Sequence, residues 1–204
     1  YGQGYGTLPI PMRSGYSFCG WWSGDIQIFE ETVVSITSNQ TLFAKWIFNH
    51  FIGPSGGYVF YDKGSYSNGW RYLEAAPADW SGGSEDPSYI FGYYRTSANV
   101  SNMIVGTGTG LGSGKANTQK LVDAMGSAAY SSWSGSTTTA EYAARICADY
   151  RGGGHEDWFL PSKDELNEMY RNLKEQNLGG FSEGDYWSSS EGYAGHAWAQ
   201  HFSD

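Results

Sequence analysis

The sequence predicts an α+β fold in two units, with strand patterning over residues 1–46 and, over residues 47–204, about three helices set among short antiparallel strands. Three observations carry this. Apolar residues alternate along residues 15–22 and recur in 41–46, with no helical period between them. Ser162 and Glu165 form an S-x-x-E capping box, after which Leu166, Met169, Tyr170 and Leu173 recur at helical spacing. Two strand-like runs, 185–190 and 196–202, close the sequence.

Taken in order, Pro9 and Pro11 punctuate a turn before the strand at 15–22, and a second turn leads to 41–46. Tyr16, Phe18, Leu42 and Phe43 are expected to pack inward, with Arg13 and Lys45 solvated. Residues 57–62 and 70–76 read as the arms of a hairpin, with 63–69 as its turn. Residues 79–114 are rich in Gly and Ser, carry scattered Trp80, Tyr89, Phe91, Tyr93 and Tyr94, and lack periodicity, which predicts a long ordered excursion. Helices are expected at 117–125, 139–150 and 162–176. The middle helix would bury Ala140, Ala143, Ala144 and Cys147 and stop at Gly152-Gly153-Gly154.

Composition bounds the function. The 204 residues are 40% hydrophobic and only 16% charged, enough apolar surface to drive folding. The mixture of 29 Gly, 16 Tyr and 9 Trp suits tight turns between short strands bearing flat side chains, as in extracellular recognition domains and also in aromatic cores. A net charge of -9 argues against nucleic acid and anionic membrane as partners, since both need clustered cations. Two cysteines, Cys19 and Cys147, in different units cannot build a disulfide framework or a cysteine-pair metal site. No run reaches the roughly 20 apolar residues of a membrane span, and residues 1–4 do not read as a signal peptide. The chain is expected to be an excised fragment, so a missing targeting signal says nothing of location.

Chemical motifs are incomplete. Residues 106–115 are glycine-rich and end in Lys115, yet Thr109 stands where a phosphate loop needs its first glycine and Ala116 where it needs Ser or Thr. A glycine-rich loop packed on the start of the following helix is expected instead. His50, His155, His196 and His201 lack metal-ligand spacing, and His196 and His201, five apart in one strand, point to opposite faces. Glu183, Asp185 and Glu191 surround the Tyr186-Trp187 strand without a calcium-loop pattern, and a solvated loop is expected there. Ser188-Ser189-Ser190 lacks the context of a nucleophile elbow and reads as a packed strand whose hydroxyls bond neighbouring backbone. No catalytic residue, cofactor or metal is expected. Trp80, Trp133, Tyr193 and His196 lie in Gly- or Ser-rich surroundings and are the candidate ligand-binding residues, with core or loop-anchoring roles open for Trp80 and Trp133.

Two resemblances add to this. Thr7-Leu8-Pro9, Pro11, Arg13, Gly15-Tyr16, Phe18, Gly20-Trp21 and the run from Thr41 to Trp46 resemble the Listeria-Bacteroides repeat, or internalin B-repeat, over nearly all of residues 5–46. The likeness implies a partial β-grasp-like surface spacer over 1–46, without the family's opening strand. The run from Asp157 to Ser162, Glu165-Leu166, the run from Tyr186 to Glu191, and the run from Ala197 to Phe202 resemble the domain family named after the carboxy-terminal domain of the Legionella collagen-like adhesin. Over roughly 56–204 that likeness implies a C-type-lectin-like α+β domain, truncated before its last strand, and adhesion through sulfated glycosaminoglycans. Residues 47–204, however, carry 10 Lys and Arg against 18 Asp and Glu, which opposes polysulfates.

The expected function is a non-enzymatic, extracellular binding or adhesion module of the bacterial cell surface, its ligand a glycan or protein. The alternative is a structural surface-layer or fimbrial subunit that forms homo-oligomers. A hydrolase or an oxidase of the sulfatase-modifying type would need chemistry that these residues do not assemble.

Overall fold

The computed structural model describes residues 1–83, 86–92, 105–132, 137–193 and 196–203, with only the backbone at Tyr193. Among them the strands are β1 (Tyr16–Ser23), β2 (Ile26–Ile28), β3 (Phe43–Phe48), β4 (Phe51–Ile52), β5 (Tyr58–Ser67), β6 (Trp70–Glu74), β7 (Tyr130–Ser131), β8 (Thr138–Thr139), β9 (Asp185–Tyr193) and β10 (His196–His201). The helices are α1 (Gly114–Met125), α2 (Ala143–Asp149) and α3 (Lys163–Asn172). The fold is α+β, with antiparallel pairing in β2-β1-β3, β7-β8 and β9-β10 and a fourth sheet ordered β4-β5-β6. The chain divides into two compact units, one of Tyr1–Phe51 with Tyr61–Leu73, the other of Ile52–Phe60 with Glu74–Asp204.

In the first unit the two-residue period of β1 and β3 sets which side chains pack. Trp46 pairs with Phe18 and Phe48 with Tyr16, their rings meeting edge-on at 5.5 and 5.1 Å. Phe43 falls on the other face and is 64% exposed, so its expected inward role is corrected: Ala44, Trp46 and Phe48 hold the inward positions. Arg13 and Lys45 are solvated as expected, each laid over an aromatic ring, Tyr16 at 3.7 Å and Trp22 at 3.6 Å. Asp62, buried, receives a two-pronged contact from Arg71 at 2.9 and 3.0 Å, together with the Gly64 amide and the Ser14 hydroxyl. The Arg71 hydrogen bond holds its carboxyl down at about 2. The hairpin turn is two residues, Asn68 and Gly69, both at positive φ (49° and 84°), as a turn matched to strand twist requires. Residues 63–67, expected in the turn, extend β5 instead, where Lys63 caps the Trp70 ring at 3.8 Å.

In the second unit α1 and α2 share a core with Phe91, Tyr130 and Leu160, in which Leu121, Tyr142 and Ala144 are fully buried. Burying a side chain such as Leu121 stabilises by about 1.5–3 kcal/mol. Cys147 packs on this core, and burial pushes its thiol up to about 12. The second helix starts at Ala143, later than 139: Thr138–Thr139 pair with Tyr130–Ser131, Tyr142 stays extended, and the Ala143 amide donates to the Ile90 carbonyl (2.9 Å). Ala140 therefore lies before the helix. The third helix begins as read, with both halves of the capping box present at Ser162 and Glu165. It yields at Leu173 to a tighter turn over Lys174–Gln176. Phe202, fully buried, sits among the rings of Tyr170, Phe181 and Tyr186 at 4.4–5.3 Å.

Candidate ligand-binding site

The glycine-rich segment 105–113 is held on the second unit by side chains far away in sequence. The Glu191 carboxylate accepts the amides of Val105, Gly106 and Thr107 at 3.0–3.3 Å. Asn117, buried, closes a reciprocal pair with Gly108, accepting its amide at 2.8 Å and donating to its carbonyl at 2.7 Å. Glu165, fully buried, accepts the Gly112 amide at 2.7 Å through Oε1 and the Ser162 amide at 2.7 Å through Oε2. Burial raises the carboxyl of Glu165, against the pull of these amides. Such a loop offers amides to anions, and here the protein's own carboxylates take them. The expected packing of this loop on the helix start is what the geometry shows.

The three serines of β9 complete the network. Ser188, Ser189 and Ser190 are fully buried, and their hydroxyls donate to the carbonyls of Trp198 (2.8 Å), Pro161 (3.2 Å) and Gly108 (2.8 Å). Ser190 Oγ also accepts the Lys163 amide at 3.0 Å, which fixes the start of α3 on the strand. Small side chains permit this approach and hydroxyls satisfy it.

On this scaffold stand two indoles at the surface. Trp187, 37% exposed, donates from Nε1 to the Tyr89 carbonyl (3.0 Å) and leans on Phe91 at 5.8 Å. Trp198, 45% exposed, has the Lys163 ammonium 4.1 Å from its ring centre. Gly192 lies beside it: a Cβ there would come within 3.6 Å of Trp198 Nε1 and meet it at ordinary contact distance. The indole nitrogen of Trp198 has no hydrogen-bond partner among the described residues.

The four sequence candidates separate. Tyr193 and His196 are Cα partners where β9 meets β10, next to Gly192, and His196 is half-buried. The side chain of Tyr193 and the whole of Trp133 lie outside the described residues. Trp80 is a loop anchor: its Nε1 donates to Asp86 Oδ1 (2.7 Å) and its ring meets Tyr150 edge-on at 5.5 Å. The other oxygen of Asp86 accepts the Tyr186 hydroxyl at 2.8 Å, and burial with this bond raises the Tyr186 phenol. Trp198 and Lys163 were missed by sequence reasoning; the signal that marks Trp198 is a lone indole between two alanines, Ala197 and Ala199, on a strand.

Among the described residues no group of three or more His, Cys, Asp or Glu is placed to hold a metal ion. No described helix is long and apolar enough to cross a membrane. No family model, curated protein or solved structure matches this chain.

Proposed function

We propose that this chain is a non-enzymatic binding module of the bacterial cell surface, in which a β-grasp-like spacer at 1–46 precedes a C-type-lectin-like domain at 47–204 that presents the ligand surface. The ligand is a glycan or a protein segment, met outside the cell. Trp198 carries this reading. It is a broad flat face, exposed on a strand pair pinned by buried hydroxyls and carboxylates, with an N–H that has no partner among the described residues and a cation beside it. A rigid aromatic that loses little freedom on contact suits stacking on a sugar ring or filling a partner's pocket. His196, half-buried at the neighbouring strand end, lies near the same surface. The buried titratable groups are committed elsewhere: Glu165 to backbone amides, and Cys147 to the core.

A glycan array at low and physiological salt tests the reading. Saturable, salt-tolerant binding to a defined sugar is expected, weakened about tenfold or more by Trp198→Ala and less by His196→Ala. Binding that persists unchanged in Trp198→Ala would remove this surface from the function, and a blank array would leave a protein ligand.

A further inference from the structure

Exposed apolar side chains gather on the first unit. Of the sixteen large apolar side chains that stand exposed among the described residues, twelve belong to that unit. Strand β3 is, among the described residues, an edge strand hydrogen-bonded on one side only, to β1. Its solvent-facing row is Phe43, Lys45 and Ile47, with Phe43 64% and Ile47 51% exposed. Proteins commonly guard such an edge with a charge. Here the one available charge, Lys45, is drawn down onto the Trp22 ring at 3.6 Å, leaving the two apolar side chains forward.

Charge indicates what meets this edge. The first unit has four carboxylates, Asp25, Glu30, Glu31 and Asp62, matched by four cations, Arg13, Lys45, Lys63 and Arg71. It is electroneutral, so the whole net charge of -9 belongs to the second unit. A strongly charged partner finds no complement at β3, whereas a second copy of the same neutral surface opposes it only through Lys45, which meets its own counterpart across the axis and is drawn onto the Trp22 ring in each copy. We propose that two copies of this chain associate through β3, antiparallel across a two-fold axis, continuing the β2-β1-β3 sheet from one copy into the next. In that arrangement the Phe43 end of one strand lies against the Ile47 end of the other, and the free edges satisfy one another. The acidic second units oppose the pairing through longer-range repulsion.

This inference stands apart from the ligand-binding reading, because it is tested without ligand. Sedimentation equilibrium of the whole chain over a wide concentration range is the experiment, at about 0.01 M and about 1 M salt, where charges are felt over roughly 30 Å and roughly 3 Å. A monomer–dimer equilibrium is expected that tightens as salt rises and loosens at least tenfold in the double variant Phe43→Lys, Ile47→Lys. Both side chains face solvent, and the variant Phe43→Thr, Ile47→Thr, which keeps strand propensity and adds no charge, guards against a folding artefact; it too is expected to weaken the dimer. A single monomeric species throughout, an assembly indifferent to both variants, or one that loosens with salt would overturn the proposal.

Discussion

Glu165 shows how a single side chain holds distant parts of the second unit. Its two oxygens accept on opposite sides, Gly112 on one and Ser162 on the other, so the site calls for an acceptor at both ends. Glu165→Gln places an amide donor against a backbone N–H on one side, and a buried unsatisfied or opposed donor costs about 1–3 kcal/mol. That loss is expected in the urea unfolding midpoint, with the slope unchanged. In the first unit, Asp62 is the comparable residue and its pH dependence has a definite sign. Its carboxyl sits at about 2 in the fold against an ordinary 3.8, so the ionised form is favoured by folding. The stability it contributes is complete above about 3.8 and is lost as pH falls through that value toward 2, on the order of 2 kcal/mol in all. Near-ultraviolet circular dichroism followed from pH 6 to 2 checks this: Asp62→Asn is expected to be less stable than the parent at pH 6 and to lose that difference at pH 2.

At the scale of elements, the hairpin of β5 and β6 turns on two residues that must both adopt left-handed backbone. Gly69, at φ 84°, tolerates this without strain, and Gly69→Ala is expected to lower stability by about 1 kcal/mol, read as a drop in thermal midpoint. The same hairpin shows what local patterning conveys. Asn68-Gly69 is the strongest short hairpin signal in the chain, yet Gly64 and the serines around it made residues 63–67 resemble turn, when cross-strand packing of Lys63 on Trp70 keeps them in a strand. The capping box of α3 was legible because both partners lie within one turn of sequence. The start of α2 was not, because Thr138 and Thr139 are claimed by a strand partner and the Ala143 amide by Ile90, which no local pattern announces. Phe43 was assigned inward on hydrophobicity alone, and the phase of β3 decides against it. The network around residues 105–113 joins groups 9 to 86 positions apart, from Asn117 on Gly108 to Glu191 on Val105. Its individual residues could be read as packed or solvated, but their pairing exists only in the fold. Trp198 escaped notice for a related reason, since a tryptophan in an alternating strand reads as core until the bulge between Ala197 and Ala199 turns up in the register.

For the whole molecule, the distribution of charge decides between the sulfated ligands that the adhesin resemblance implies and uncharged ones. The net charge is -9, and among the described residues several cations of the second unit are locally engaged. Lys115 faces Asp157 at 3.4 Å, Arg145 faces Asp149 at 3.4 Å, Lys120 donates to the Gly106 carbonyl, and Arg151 donates to the carbonyls of Ala148 and Tyr150. Lys163, beside Trp198, is the cation placed at the candidate surface, and one cation cannot release the counterions that bind a polysulfate tightly. The chain is therefore expected to pass through immobilised heparin at physiological ionic strength. Retention at low salt should be lost by the time salt rises to about 0.15 M, where surface charges are screened beyond roughly 8 Å. Lys163→Gln separates the two kinds of recognition further. It should leave binding to a neutral sugar nearly intact, because stacking on Trp198 is unaffected, while abolishing whatever weak retention heparin gives at low salt. Retention persisting to about 0.5 M salt would instead require a cluster of cations acting together and would move the ligand surface away from Trp198.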